Sequence, residues 1–390
     1  MEKILTILIV DDQPYNVDYL EQELADLGYQ TVSAPNGKAA LERVEECNPD
    51  MILLDIMMPE MDGFEVLEKL KADPQNRDIP VVVISAMSDI DNVVKGIELG
   101  AEDYLPKPFD PIILQARLRA GLEKKQLKDI EKDYLKALER EFEIGKEMQA
   151  GFLPNELPEY EGWQIAARFE PARSVAGDFY DVFNLNEEGK IGIILGDVCD
   201  KGVGAALYMT LFRSLLRAVF GVSEDDQKIG YDQKIVDVIG FVNRYICEIH
   251  NSASFATLFF GVLDTENGEL VYVCAGHDPP MIVNHKNQIG YINPTGPLVG
   301  MIDTAEYQSS QMDLNEGDTL YLYSDGLLDS QNIKLEQFGK SRLENILTGD
   351  SKTLKERVNI LFQKVDEFVG DAKQFDDLTL VAIERIYPVG

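Results

Sequence analysis

Residues 122–152 read LEKKQLKDIEKDYLKALEREFEIGKEMQAGF, and this stretch decides how the chain is divided. It has no proline, and its glycines, Gly145 and Gly151, come late. Leu127, Ile130, Tyr134, Leu138, Phe142 and Met148 recur mostly every three or four residues, with charged residues in the gaps. That is the period of one helix with a single narrow apolar stripe. Such a long helix with so narrow a stripe does not suit a globular core. A two-stranded coiled coil explains the stripe, and a solvated linker helix is the alternative. Repeated spacings of four depart from a strict heptad, so the register is expected to stutter. The expectation is a helical coiled-coil linker at 122–152 that pairs two chains as a parallel homodimer. One domain, 1–121, precedes it and another, 153–390, follows.

The chain has 390 residues, enough for two or three domains, and its hydrophobic content of 45% supports a core on each side of the linker. The formal net charge of -33 repels nucleic acid and anionic membrane, so neither is an expected partner. The same acidity suits metal sites, where carboxylates act as ligands. Cys47, Cys199, Cys247 and Cys274 are scattered, with no CxxC. With no basic stretch and apolar run at the start, and no stretch read as long enough to cross a bilayer, a cytoplasmic protein is expected.

Upstream of the linker, short apolar runs alternate with helical stretches: ILTILIVDD, YQTVSA, DMILLD, IPVVVISA and AEDYL are the strands. This alternation predicts a parallel sheet covered on both faces, with ligands beyond the carboxyl ends of the strands. Asp11 and Asp12 end the first strand, Asp55 the third and Ser85 the fourth, while Lys107 follows the fifth. Three converging carboxylates call for a hard cation, and Mg²⁺ is the natural choice.

The stretches VDD (10–12), LLDIMMPEMDG (53–63), ISA (84–86) and KP (107–108) resemble a two-component response-regulator receiver domain of flavodoxin-like (βα)5 type. The resemblance implies that Asp55 accepts a phosphoryl group from a sensor histidine kinase. It implies that Asp11, Asp12, Asp55 and the Met57 carbonyl hold Mg²⁺. Ser85, Tyr104 and Lys107 would respond to the phosphate, and the Lys107–Pro108 peptide would be cis.

Downstream of the linker, antiparallel strands dominate, with helix pairs at intervals. Two sheets with helices outside them are expected, an α/β/β/α sandwich. Asp178, Asp197, Asp325, Asp376 and Asp377 are the acids that stand out, four of them in loops expected to flank strands, and no lysine is placed among them. Such a gathering suits two divalent cations that activate water against a phosphoryl group. His277, in AGHDPP, is read as a turn or hydrogen-bonding residue rather than a ligand. Arg173 is a candidate phosphate contact, or a partner of nearby acids.

The motifs VAGDFYD (175–181), GDVCDKGVGAALYM (196–209), FATLFFGVLD (255–264), VCAGHDPP (273–280), GDTLYLYSDGLLD (317–329) and FDDLTLV (375–381) resemble the SpoIIE-like branch of type 2C metal-dependent serine/threonine phosphatases. The resemblance implies that Asp197 bridges two Mn²⁺ or Mg²⁺ ions and that the Val198 carbonyl completes one site. Asp325 and Asp376 would hold the second ion, and Asp178 would bind directly or through water. Asp377 takes the position next to the last ligand. Val198-Cys199 stands where animal-type enzymes carry Gly-His, and Asp200 stands where the branch often carries Gly. The expected function is a response regulator whose output is a protein phosphatase. Its expected substrate is a phosphorylated STAS-domain antagonist of an anti-sigma factor. The alternative is a catalytically inactive scaffold that binds a signalling partner.

Overall fold

The computed structural model describes residues 4–86, 90–154, 156–185, 187, 189–222, 229–250, 254–349 and 353–387. The chain forms two compact units, Met1–Glu139 and Arg140–Gly390.

In the first unit the order is β1 (Thr6–Val10), α1 (Pro14–Asp26), β2 (Gln30–Ala34), α2 (Gly37–Cys47), β3 (Met51–Asp55), α3 (Gly63–Ala72), β4 (Val81–Ala86), α4 (Ile90–Glu98), β5 (Asp103–Lys107) and α5 (Pro111–Ala150). The strands form a parallel sheet ordered β2-β1-β3-β4-β5. Strand alternation sends Leu8, Val10, Ile52, Leu54, Val81 and Val83 to one face, against Ala40, Val44, Val66, Leu67 and Leu70. It sends Ile7, Ile9, Met51, Leu53, Val82 and Ile84 to the other, against Leu20, Leu24, Leu114, Leu118 and Leu122. Both faces are therefore dry, which is why these strands read as unbroken apolar runs.

Helix α5 has 40 residues and is ~60 Å long. The linker continues the helix that packs Leu114, Leu118 and Leu122 on the sheet, and the helix stops at Ala150, with Phe152 in the turn beyond. Leu127, Ile130, Tyr134 and Met148 are exposed, each by more than half.

The second unit contains β6 (Trp163–Glu170), β7 (Asp178–Asn184), β8 (Lys190–Val198), α6 (Val203–Val222), α7 (Tyr231–His250), β9 (Ala256–Asp264), β10 (Glu269–Ala275), β11 (Met281–Val283), β12 (Ile289–Tyr291), β13 (Ser310–Asp313), β14 (Thr319–Tyr323), α8 (Asp325–Asp329), α9 (Lys340–Leu347), α10 (Leu354–Val369) and β15 (Leu378–Arg385). They build two sheets, β13-β10-β9-β8-β7 and β12-β11-β14-β15-β6. Their inner faces meet through Val182, Ile193, Leu195, Phe259, Leu322 and Val381. Helices α6 and α7 cover the first sheet, and α9 and α10 the second.

Helix α6 corrects one expectation. Val203–Val222 is long and apolar enough to cross a membrane by length and composition. Here its Ala205, Met209, Phe212, Leu216 and Phe220 pack on the first sheet and on α7. Packing on both the sheet and the neighbouring α7 calls for a wide apolar face, while Val203, Leu207 and Val222 stay exposed.

Candidate functional site

The sheet edge of the first unit gathers the residues singled out there. Ligand oxygens of Asp11, Asp12 and Asp55 all lie within 4.8 Å of one another. Lys107, the last residue of β5 rather than one beyond it, reaches Asp11 Oδ2 at 2.9 Å and Asp55 Oδ2 at 2.7 Å. Burial pushes the Asp55 carboxyl above the usual range, and the Lys107 ammonium only partly offsets this. Burial alone would lower Lys107, but the two carboxylates outweigh it and hold its pKa above the ordinary value. Asn16 donates from Nδ2 to both Asp11 oxygens at 3.0 Å, an orienting contact that no sequence spacing announced. Ser85 is buried, and its Oγ has no hydrogen-bond partner among the described residues. Tyr104 is half-buried beneath the Arg117 guanidinium, 5.6 Å from the ring centroid. The Met57 side chain is exposed, while its N–H faces Asp55 Oδ1 at 3.4 Å. The Lys107–Pro108 peptide is cis. The donor set is hard oxygen throughout and fits Mg²⁺.

In the second unit the acids come from both sheets. Asp178 and Asp197 are direct cross-strand partners on β7 and β8, and Thr257 on β9 continues the row. These two carboxylates therefore sit within strands rather than in flanking loops. Asp325 opens α8 directly after β14, and only Asp376 and Asp377 lie in a loop, the one before β15. Gly196 permits the cross-strand approach, since a Cβ there would lie 2.6 Å from the Phe179 ring. Gly177 likewise lets the chain pass the Val198 carbonyl, which a Cβ would meet at 2.9 Å.

Mutual repulsion marks the cluster. Burial, then the charge of Asp325, pushes Asp197 up to about 7. Burial with Asp376, Asp278 and Asp329 nearby pushes Asp325 up to about 6. Asp178 rises strongly, through burial first and then Asp197. These carboxylates are hard oxygen donors of the kind Mn²⁺ or Mg²⁺ takes, but among the described residues only Asp11, Asp12 and Asp55 bring three such ligand atoms within 4.8 Å of one another. Asp278 and Asp329, which the sequence reading did not single out, add to this acidic field. Asp329 could have been found, since it follows Asp325 by one helical turn.

A lysine does stand among them, contrary to expectation. Lys201 Nζ pairs with Asp376 Oδ2 at 2.8 Å, donates to the Phe375 carbonyl at 2.8 Å, and lies 3.5 Å from the Phe375 ring centroid. The turn that delivers it runs through Asp200 at φ 82° and Gly202 at φ 88°. Asp200 thus occupies the left-handed region that favours glycine, at a strain of about 1 kcal/mol.

Asp377 points away from the role of a ligand. Its carboxylate accepts the N–H groups of Ala172 at 2.8 Å, Gly177 at 2.8 Å and Asp178 at 3.5 Å. Thr379 Oγ1 donates to Asp178 Oδ2 at 2.5 Å, so the loop before β15 holds the backbone of the Asp178 segment and β15 itself holds the carboxylate. His277 is buried, with Nδ1 2.7 Å from Thr257 Oγ1, and burial lowers it to about 4, so it is neutral at pH 7. Arg173 is exposed.

The description Stage II sporulation protein E (SpoIIE) matches residues 187–386. The chain belongs to the SpoIIE family. Its first unit is a response regulator receiver domain, matched over residues 7–119. The SpoIIE chain is 39% identical over 263 residues to protein IcfG of Synechocystis sp. (strain ATCC 27184 / PCC 6803 / Kazusa), covering 63% of this chain and 41% of that protein. It is 41% identical over 116 residues to the probable transcriptional regulator ycf27 of Guillardia theta, covering 30% of this chain and 44% of that protein. The chain thus spans less than half the length of these relatives. Among solved structures, the SiaA-PP2C domain of Pseudomonas aeruginosa aligns with a TM-score of 0.54 and 19% identity, over 64% of this chain and 98% of that one. That likeness shows a PP2C-type fold for the SpoIIE region.

Proposed function

We propose that this protein is a response regulator with a receiver at 1–121, a helical linker at 122–152 and, at 153–390, a metal-dependent phosphatase that hydrolyses phosphoserine or phosphothreonine on a partner protein. The observation that carries the reading is the convergence of Asp178, Asp197, Asp325 and Asp376 from two sheets, with Asp197 pushed up to about 7. A buried cluster of this kind needs cationic charge, and phosphoryl transfer uses the same charge at the reacting group. Divalent cations, when bound, supply activated water and neutralise the phosphoryl oxygens.

Asp197, paired across the strands with Asp178 and near enough to Asp325 to be raised by its charge, would suit a role shared between two ions, with the Val198 carbonyl next in the chain. Thr379 and Asp377 keep the Asp178 carboxylate oriented. His277 is neutral and engaged with Thr257, so the leaving hydroxyl takes its proton from solvent. In the receiver, an Asp55 oxygen bonds to phosphorus as the phosphohistidine P–N bond breaks. Lys107 then balances the added charge and Ser85 Oγ donates to the new oxygens. Asp11, Asp12, Asp55 and the Met57 carbonyl would hold a Mg²⁺ in the receiver. A sensor histidine kinase supplies the phosphoryl group, and the substrate is a phosphorylated STAS-domain antagonist of an anti-sigma factor. A homodimer forms through the linker stripe.

The test is Mn²⁺-dependent phosphate release from phosphoserine proteins of the STAS type. Asp197→Ala is expected to lower the rate by at least about a hundredfold. An unchanged rate would sink the site assignment.

A further inference from the structure

The last turn of α5 belongs to the second unit and carries a glutamine whose amide is engaged at both its nitrogen and its oxygen. Gln149 is buried, donates from Nε2 to the Ala176 carbonyl at 2.7 Å, and accepts the Ala176 N–H on Oε1 at 2.9 Å. One side chain thus satisfies both backbone groups of one residue, as a neighbouring strand would. One turn earlier, Gly145 brings the helix to Val175, whose Cγ1 lies 3.7 Å from where a Cβ would stand. The next peptide groups, those of Gly177 and Asp178, donate to Asp377. The segment 175–178 is therefore held from two sides, by the end of α5 and by the loop before β15.

The geometry points to Gln149 as a positioning residue: it fixes Ala176 and, through that backbone, the place of the Asp178 carboxylate in the acidic cluster. The inference rests on the reading of Asp178 as part of the phosphatase site. Its chemistry is local and specific. Loss of the amide leaves two buried backbone groups unpaired, at a segment that has no other tie on that side in the described residues.

The experiment uses the full chain, wild type against Gln149→Met and Gln149→Glu. Methionine keeps the length and removes both hydrogen bonds. Glutamate keeps the acceptor and removes the donor. Amide hydrogen exchange is followed in peptides covering 172–180, with peptides from β9 as the internal control, and Mn²⁺ binding is measured by calorimetry. Gln149→Met is expected to speed exchange at Ala176 and Gly177 roughly tenfold and to weaken Mn²⁺ binding several-fold, with β9 unchanged and Gln149→Glu intermediate. Wild-type exchange in 172–180 in the Met variant overturns the inference. So does acceleration that includes β9 equally, since the residue would then be only a general prop. Phosphatase assays on wild type run in parallel: an inert wild type refutes the phosphatase reading, while the exchange data still decide the role of Gln149.

Discussion

The Lys201 ammonium is held by the Asp376 carboxylate, the Phe375 carbonyl and the Phe375 ring. A divalent ion at Asp376 must share that carboxylate with it or displace it. Lys201→Met is therefore expected to lower the Mn²⁺ concentration for half-maximal activity about fivefold, the equivalent of roughly 1 kcal/mol for a partly exposed pair. A titration showing a higher requirement would contradict this. His277 gives a pH effect of definite sign. Its folded pKa is lowered to about 4 from 6.5, so between these values the unfolded chain binds more protons. Stability from this residue is complete above pH 6.5 and is lost as pH falls toward 4, on the order of 3 kcal/mol over the window. Urea denaturation of His277→Gln at pH 4, 5, 6 and 7 is expected to show a shallower acid loss than wild type.

These contacts also show what sequence does and does not disclose. The acids of the two clusters stood out because each falls in a short motif at one end or the other of an apolar run. The partners that orient them did not. Asp377 binds Gly177 from 200 positions away, and Lys201 meets Asp376 only because Asp200 adopts a left-handed turn. Such pairings are set by how the two sheets stack, which no local spacing encodes.

Among the elements, α5 departs most from a self-contained helix. Its early leucines are buried in the receiver, whereas Leu127, Ile130 and Tyr134 are exposed by 69%, 58% and 67%. A stripe of that kind on an unpaired helix is unfavourable, and the proposed dimer buries it. Replacing the three with serine is expected to convert a dimer to a monomer in size-exclusion light scattering. A dimer that survives the triple change places the interface elsewhere. The periodicity of this helix was legible throughout, because it rests on local spacing. Its fusion with the receiver's last helix was legible only in outline, since nothing in the sequence interrupts residues 111–150. The length and apolarity of α6 were underread, since no stretch was read as long enough to cross a bilayer, yet α6 meets that measure and packs on the first sheet and on α7.

At the scale of the whole molecule, control of one unit by the other is the claim to test. Beryllofluoride is expected to change the hydrolysis rate of wild type and to leave Asp55→Asn unaffected, and equal behaviour of the two would refute receiver control. The unbroken course of α5 adds a constraint of phase. Each residue of a helix advances the chain by about 1.5 Å and turns it by about 100°. Removing seven residues within 127–141 turns everything beyond by only about 20°, whereas removing five turns it by about 140°. The shorter deletion is therefore expected to abolish the beryllofluoride response and the longer one to retain it, both keeping Mn²⁺-dependent hydrolysis. The linker then behaves as a screw thread rather than a tether. Across chains built on this plan, natural insertions and deletions between the receiver and the phosphatase should survive in near-whole-turn steps and be purged between them, a signature readable from lengths alone.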